Sequence, residues 1–244
     1  MYTPNELSKM VFFDLETAPE FESLDSLAIH KPKMAELWSK RCEYLRSRFE
    51  ENKDLTDEEL YTTKAALTPE FARIVCASFG RVGYKDGEAS VIIKSYSSTS
   101  ESEILDGIEK VFTNFATMKF VGHNIKRFDV PMMCKRLLIN SRSLPKGLQI
   151  QNLKPWEMPF IDTSELWSFG AWQESFASLE LLVTSIGLDT PKSDIRGEEV
   201  GRVFWEEMNV QRITEYCQRD VLATIQALLK LSGQPVVEEF ELQA

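Results

Sequence analysis

The chain has 244 residues, 43% hydrophobic and 27% charged, with 28 Lys and Arg against 38 Asp and Glu for a net charge of −10. That length holds one large domain or two small ones and buries a core unaided, which excludes a disulfide scaffold, a collagenous chain and a wholly disordered one. A protein that only coats nucleic acid is expected to be basic, so the charge argues against that class but not against an enzyme that needs many carboxylates. The cysteines, Cys42, Cys76, Cys134 and Cys217, form no C-x-x-C pair and suggest no zinc site. Their apolar neighbours predict free, buried, reduced thiols. The opening MYTPNELSKM lacks a leader pattern, and no stretch approaches ~18 apolar residues, so the expectation is a cytoplasmic protein without membrane contact.

In chain order, the apolar run Met10 to Phe13 predicts a buried strand ending at Asp14. Helical spacing of Met34, Leu37, Trp38, Leu45 and Phe49 follows in a charged stretch. Thr56 and Glu59 match a capping box for a helix to about Leu67. Arg73 to Phe79 and Ser90 to Tyr96 read as strands, joined by turn chemistry between Gly83 and Gly87 into a hairpin. Glu101 to Met118 places Ile104, Leu105, Ile108, Val111, Phe112 and Phe115 on one helix face. Lys119 to Val121 and Pro159 to Ile161 predict short strands, and Phe128 to Ile139, Phe176 to Ile186 and Val210 to Leu231 predict helices. The sum is an α/β protein: a mixed five-stranded sheet with helices on both sides. Residues 1–235 form a single domain in this reading. Residues 25–69 form a helical insertion between strands one and two, too poor in apolar residues for its own core. Residues 236–244 form an acidic, frayed tail.

Three clusters carry potential chemistry. Asp14 and Glu16 are two apart at a strand end and project to the same face, opposite Leu15. At ~4 Å and an effective dielectric of about 20 their repulsion is roughly 4 kcal/mol. A shared proton, a basic neighbour or a cation would relieve it, or the two acids are simply solvated. Residues 119–154 contain eight Lys and Arg and one acid, Asp129, leaving 20 basic and 37 acidic residues elsewhere. Such polarity suits a polyanion approaching one face, or a solvated helix surface. On the last helix Tyr216 and Asp220 lie one turn apart on an otherwise apolar stripe. An acid there needs a partner, either the tyrosine or a base such as Arg219.

Together FFDLET (Phe12 to Thr17), GHNIKRFDVP (Gly122 to Pro131) and YCQRDV (Tyr216 to Val221) resemble the DEDD 3′–5′ exonucleases of the RNase H-like fold. FIDTSELW (Phe160 to Trp167) and the stretch around Pro191 to Gly197 add to the likeness, which spans about Met10 to Gly233. It is nearest to the predicted exonucleases related to the proofreading domain of family B DNA polymerases. The position five before the last Asp is Glu215 rather than His, and Tyr216 stands four before, so the tyrosine branch fits.

The resemblance implies that Asp14, Glu16, Asp129 and Asp220 hold two divalent cations, Mg²⁺ or Mn²⁺, the hard ions that oxygen ligands select. It implies that Tyr216 orients the attacking water, its phenol being too weakly acidic for an outright base near neutrality. The expected activity is 3′–5′ hydrolysis of single-stranded DNA ends to nucleoside 5′-monophosphates by a two-metal mechanism. RNA is the alternative substrate, and a catalytically silent RNase H-like module binding nucleic acid or protein is the alternative class. Asn124, Lys126, Arg127, Leu15 and Thr17 are candidate substrate contacts. So is Phe128, whose simpler role is core packing. Asp162 is expected to cap a helix and Asp194 to hold a loop. Proofreading would need a separate polymerase or repair partner, and the sequence carries no readable oligomerisation signal.

Overall fold

The computed structural model describes residues 1–85, 87–171, 177–188, 194–237 and 240–243. The chain opens with α1 (Pro4–Leu7) and β1 (Met10–Pro19). It continues through α2 (Leu24–His30), α3 (Pro32–Arg48) and α4 (Asp57–Lys64). The hairpin β2 (Ala72–Lys85) and β3 (Glu88–Ser97) leads to α5 (Glu101–Asn114), β4 (Lys119–Gly122) and α6 (Asp129–Ile139). Then come β5 (Phe160–Asp162), α7 (Thr163–Ser168), α8 (Leu179–Ser185), α9 (Val200–Trp205), α10 (Val210–Leu231) and β6 (Phe240–Gln243). The start expected for α8 at Phe176 lies outside the described residues.

The strands form one mixed sheet in the order β5-β4-β1-β2-β3-β6. β1 pairs antiparallel with β2 and parallel with β4, and β4 pairs parallel with β5. Two expectations need correction. The sheet has six strands rather than five, because 240–243, read as a frayed tail, runs parallel to β3 from Val91 to Lys94. A parallel partner so far away in sequence leaves no local signal. β1 also continues past Asp14 to Pro19, because β2 pairs with it all the way to Ala72. The two acids therefore sit inside a strand and not at its end.

Alternation along β1 feeds two cores. Val11, Phe13 and Leu15 face α5 and α6, where Phe112 and Phe120 stack at 4.2 Å. Met10 and Phe12 face α10 and meet Val221, Ile225 and Leu228. Phe12 and Phe13 are both fully buried, contributing roughly 1.5–3 kcal/mol each. α10 lies close on the sheet because β2 carries Gly80 beneath it. A Cβ there would fall 2.8 Å from Val221 and 2.9 Å from Ile225.

The insertion does build a core of its own, contrary to the sequence reading. Leu27, Trp38, Cys42, Leu45, Leu60, Tyr61, Ala65 and Phe71 cluster, with Trp38 edge-on to Tyr61 at 5.4 Å and to Phe71 at 4.8 Å. Three aromatic residues, Trp38, Tyr61 and Phe71, supply area that counting aliphatic positions underestimates. The capping box is present: Thr56 Oγ1 accepts from Glu59 N, and Thr56 N donates to the Glu59 carboxylate.

The basic run does not form one open face. Arg136 is 2% exposed and bonds Glu101, with Nε donating to Oε1 at 2.8 Å, while its Nη1 donates to Pro69 O at 3.0 Å. Arg142 pairs with Asp106 and Glu109, Lys135 with Glu70 and Lys126 with Glu165. These acids lie outside the run, so counting charge within it could not reveal the pairing. Among the described residues, no helix is long and apolar enough to cross a membrane.

Glu101 also accepts from Ile74 N, so the Arg136 pair ties α6, α5, β2 and the insertion's end together. Arg136→Ala strands a buried carboxylate and is expected to cost about 3–5 kcal/mol in urea unfolding. The double replacement Arg136→Met/Glu101→Leu is expected to cost far less. Equal losses would show that the packing and not the unpaired charge sets the penalty.

Candidate active site

β4 pairs with β1 only over Met10–Phe12, so further along β1 this edge has no neighbouring strand. α6 fills that gap. Its first residue, Asp129, accepts the Leu15 backbone N–H through Oδ1 at 3.1 Å. The helix start also favours a carboxylate there. A register shift between Glu16 and Thr17 places a bulge beside the acids, a device that re-aims side chains. From the other side α10 brings Cys217, whose Sγ donates to Asp14 O at 3.4 Å, and with it Tyr216 and Asp220.

Residues 14, 16, 129 and 220 thus converge from β1, α6 and α10. Burial pushes the Asp14 carboxyl well above the usual range, and Asp129 and Asp220 push it further. Glu16 is raised by burial and then by Asp14 and Asp220. Asp129 rises to about 7 and Asp220 to about 6, each mainly through burial. Tyr216 lies against Asp220, and burial followed by the charges of Asp220, Glu16 and Asp14 holds its phenol far above neutrality. It is a hydrogen-bond donor at physiological pH and not a base.

The donor set fits a hard divalent cation. Among the described residues, Asp14 Oδ2 is a buried oxygen with no hydrogen-bond partner. One oxygen of Asp14, one of Glu16 and Cys217 Sγ lie within 4.8 Å of one another. The Cys217 thiol is pushed up by burial and by its contact with Cys76, so it stays neutral beside the acids. Sequence reading treated Cys217 as an inert core thiol, and nothing in its spacing distinguishes it.

The candidate substrate contacts divide. Leu15, Thr17 and Phe128 line a cleft of about 510 Å³ that begins at Glu16. Phe128 also packs against the first core, and Thr17 Oγ1 donates to Ala66 O at 2.9 Å. Asn124 adopts φ 60°, a left-handed turn that asparagine tolerates, and its Oδ1 is buried without a partner among the described residues. Lys126 is held by Glu165, and Arg127 is exposed beside it. Asp194 pairs with Arg212, as a loop role requires. The Pro191 end of its loop lies outside the described residues.

Asp162 does more than cap a helix. It accepts from Ser164 N, as expected, but also from Asn124 N at 2.8 Å and Lys126 N at 3.1 Å. It therefore fixes the turn that leads into Asp129. The turn also needs Gly122, where a Cβ would fall 2.8 Å from Phe13 O. His123 bridges Thr163 and Ala177 O, which makes it a structural histidine.

The raised carboxyls have a consequence for stability. A group whose folded pKa lies above its unfolded value stabilises fully below the unfolded value and loses that contribution as pH rises through the folded one. For Asp129 the window runs from about 4 to about 7. Metal-free protein is therefore expected to lose Tm across that window relative to Asp129→Asn. Mn²⁺ should restore more Tm at pH 8 than at pH 6. Parallel curves for both proteins, with no response to Mn²⁺, would contradict the electrostatic account.

No curated protein sequence matches the chain. A family B DNA polymerase from the hyperthermophilic archaeon Pyrobaculum calidifontis shares the fold, with a TM-score of 0.53 at 13% identity over 91% of this chain. The chain spans 24% of that polymerase. The sheet with its flanking helices is accordingly RNase H-like. Residues 66–234 match a family of predicted 3′–5′ exonucleases related to the exonuclease domain of PolB, a span that includes Asp129, Tyr216 and Asp220 and begins after Asp14 and Glu16. That match covers most of the sequence, and the chain belongs to this exonuclease family.

Proposed function

We propose that the protein is a metal-dependent 3′–5′ exonuclease of the tyrosine branch, hydrolysing single-stranded DNA ends to nucleoside 5′-monophosphates. The observation that carries this reading is the meeting of four carboxylates and a protonated tyrosine at the open edge of β1. Asp14, Glu16, Asp129 and Asp220 would hold two Mg²⁺ or Mn²⁺ ions. Such ions supply charge neutralisation at the scissile phosphodiester and acidify a nucleophilic water. The chain's own part is positioning. The four acids fix where the phosphate sits, and the Tyr216 hydroxyl orients the attacking water. The cleft beside Glu16 receives the terminal nucleotide.

The test is stepwise shortening of a 5′-labelled oligonucleotide with Mg²⁺ or Mn²⁺. Matched single-stranded DNA, duplex DNA and RNA run in parallel arms. Single-stranded DNA is expected to be degraded fastest, with no cleavage in chelator. Asp14→Ala is expected to lose on the order of 10³-fold in kcat. Tyr216→Phe is expected to lose about 10²-fold while binding Mn²⁺ as wild type does. A faster RNA arm would move the substrate class. Wild type that leaves every substrate intact, yet binds oligonucleotide, would favour a silent binding module.

A further inference from the structure

Asn52 occupies a position that folding alone does not explain. It ends the short 3₁₀ turn Glu50–Asn52 within the insertion and is 2% exposed. Among the described residues, its side-chain amide has no hydrogen-bond partner. Its polar atoms are not among the enclosed, unpartnered ones, so the amide meets solvent where Asn52 borders a cleft. Asn52 lines the same cleft of about 510 Å³ whose floor is Leu15, Glu16 and Thr17. That volume suits a ligand the size of one nucleotide. Across the cleft stands Gly197, where a Cβ would lie 3.8 Å from the Tyr216 hydroxyl, so the cavity runs to the reacting end of the site. Lys64 lines the insertion's wall too, and among the described residues it forms no ion pair.

The wall is fixed in place. Thr17 holds Ala66 O, Arg136 holds Pro69 O, and Phe21 N donates to the Tyr61 hydroxyl at 3.2 Å. A rigid wall keeps its polar group aimed at one place, which is what recognition needs. A carboxamide offers a donor and an acceptor side by side, the pattern that a base edge complements.

We propose that the insertion is the base-binding wall of this site: the base of the 3′-terminal nucleotide enters the cleft, and the Asn52 amide hydrogen-bonds its edge. This rests on the exonuclease reading above. The amide can turn to present either atom, so the contact accepts any base and measures its presence more than its identity.

The experiment compares wild type with Asn52→Leu and Asn52→Ala. The substrates are a single-stranded oligonucleotide with an intact 3′ end and one whose last residue is abasic. On the intact end both variants are expected to raise KM roughly fivefold with kcat nearly unchanged. On the abasic end they should match wild type. Asn52→Leu should leave Tm nearly unchanged, because the amide makes no hydrogen bond within the described residues that the substitution could remove. Calorimetric titration with deoxynucleoside 5′-monophosphate should show the same roughly fivefold weakening. An unchanged KM, a rise that persists on the abasic end, a lowered Tm for Asn52→Leu, or equal mononucleotide affinity would each overturn the proposal. Wild type that degrades no oligonucleotide would sink the exonuclease reading instead, and the mononucleotide titration would still decide the Asn52 contact.

Discussion

Mutual repulsion among buried carboxylates is the constraint around which this molecule is organised. Burial pushes Asp14, Glu16, Asp129 and Asp220 toward the protonated form, and the neighbouring acids of the set raise Asp14 and Glu16 further. A fold keeps such a cluster only if its surroundings are rigid enough to hold the groups together against that force. Three elements do so here. β1 continues through the site under β2, α6 begins at Asp129 with its carboxylate on the Leu15 N–H, and α10 lies low over Gly80. β1 has no neighbouring strand on this edge beyond Phe12, and that gap admits α6.

The charges outside the site serve the same end by a different route. The run from 119 to 154 is strongly basic in sequence, yet Arg136, Arg142, Lys135 and Lys126 are matched by acids from α5, α7 and the insertion's end. Arg136 is the deepest of these, one helix face along from Asp129, and it joins the insertion to the sheet. Much of the basic residues' work is therefore internal clamping. A chain of net charge −10 with its bases so used has little positive charge left over for long-range attraction of a polyanion.

The insertion is the part whose meaning changes most once the fold is known. A charged, helical stretch between two strands reads as a decoration. Folded, it carries a small aromatic core around Trp38 and presents Asn52 and Lys64 to the cleft beside Glu16. The core stiffens the wall, and Thr17 ties the wall to the strand that bears two of the acids. The family match begins at residue 66, so this element lies outside the span that the match describes.

Much of the framework is legible in the residues. Period-two alternation in β1, the 3.6-residue stripe of α10 and the Thr56 capping box are local patterns, and local backbone preferences obey them. The motif acids are legible too, because chemistry restricts which residue types can stand at those places. Other features depend on partners distant in the chain. β6 beside β3, Glu101 under Arg136, the Asp162 carboxylate pinning the Asn124 turn and Cys217 against Asp14 all join segments tens to hundreds of residues apart. Local patterns are enough for the α/β class, most elements and which residue types stand at the acid positions. Folding settles which bases are spent on internal pairs, that the insertion walls the cleft, and that Asn52 faces it with no hydrogen bond to its amide among the described residues. Long-range hydrogen bonds and ion pairs leave no periodic trace in the chain that makes them.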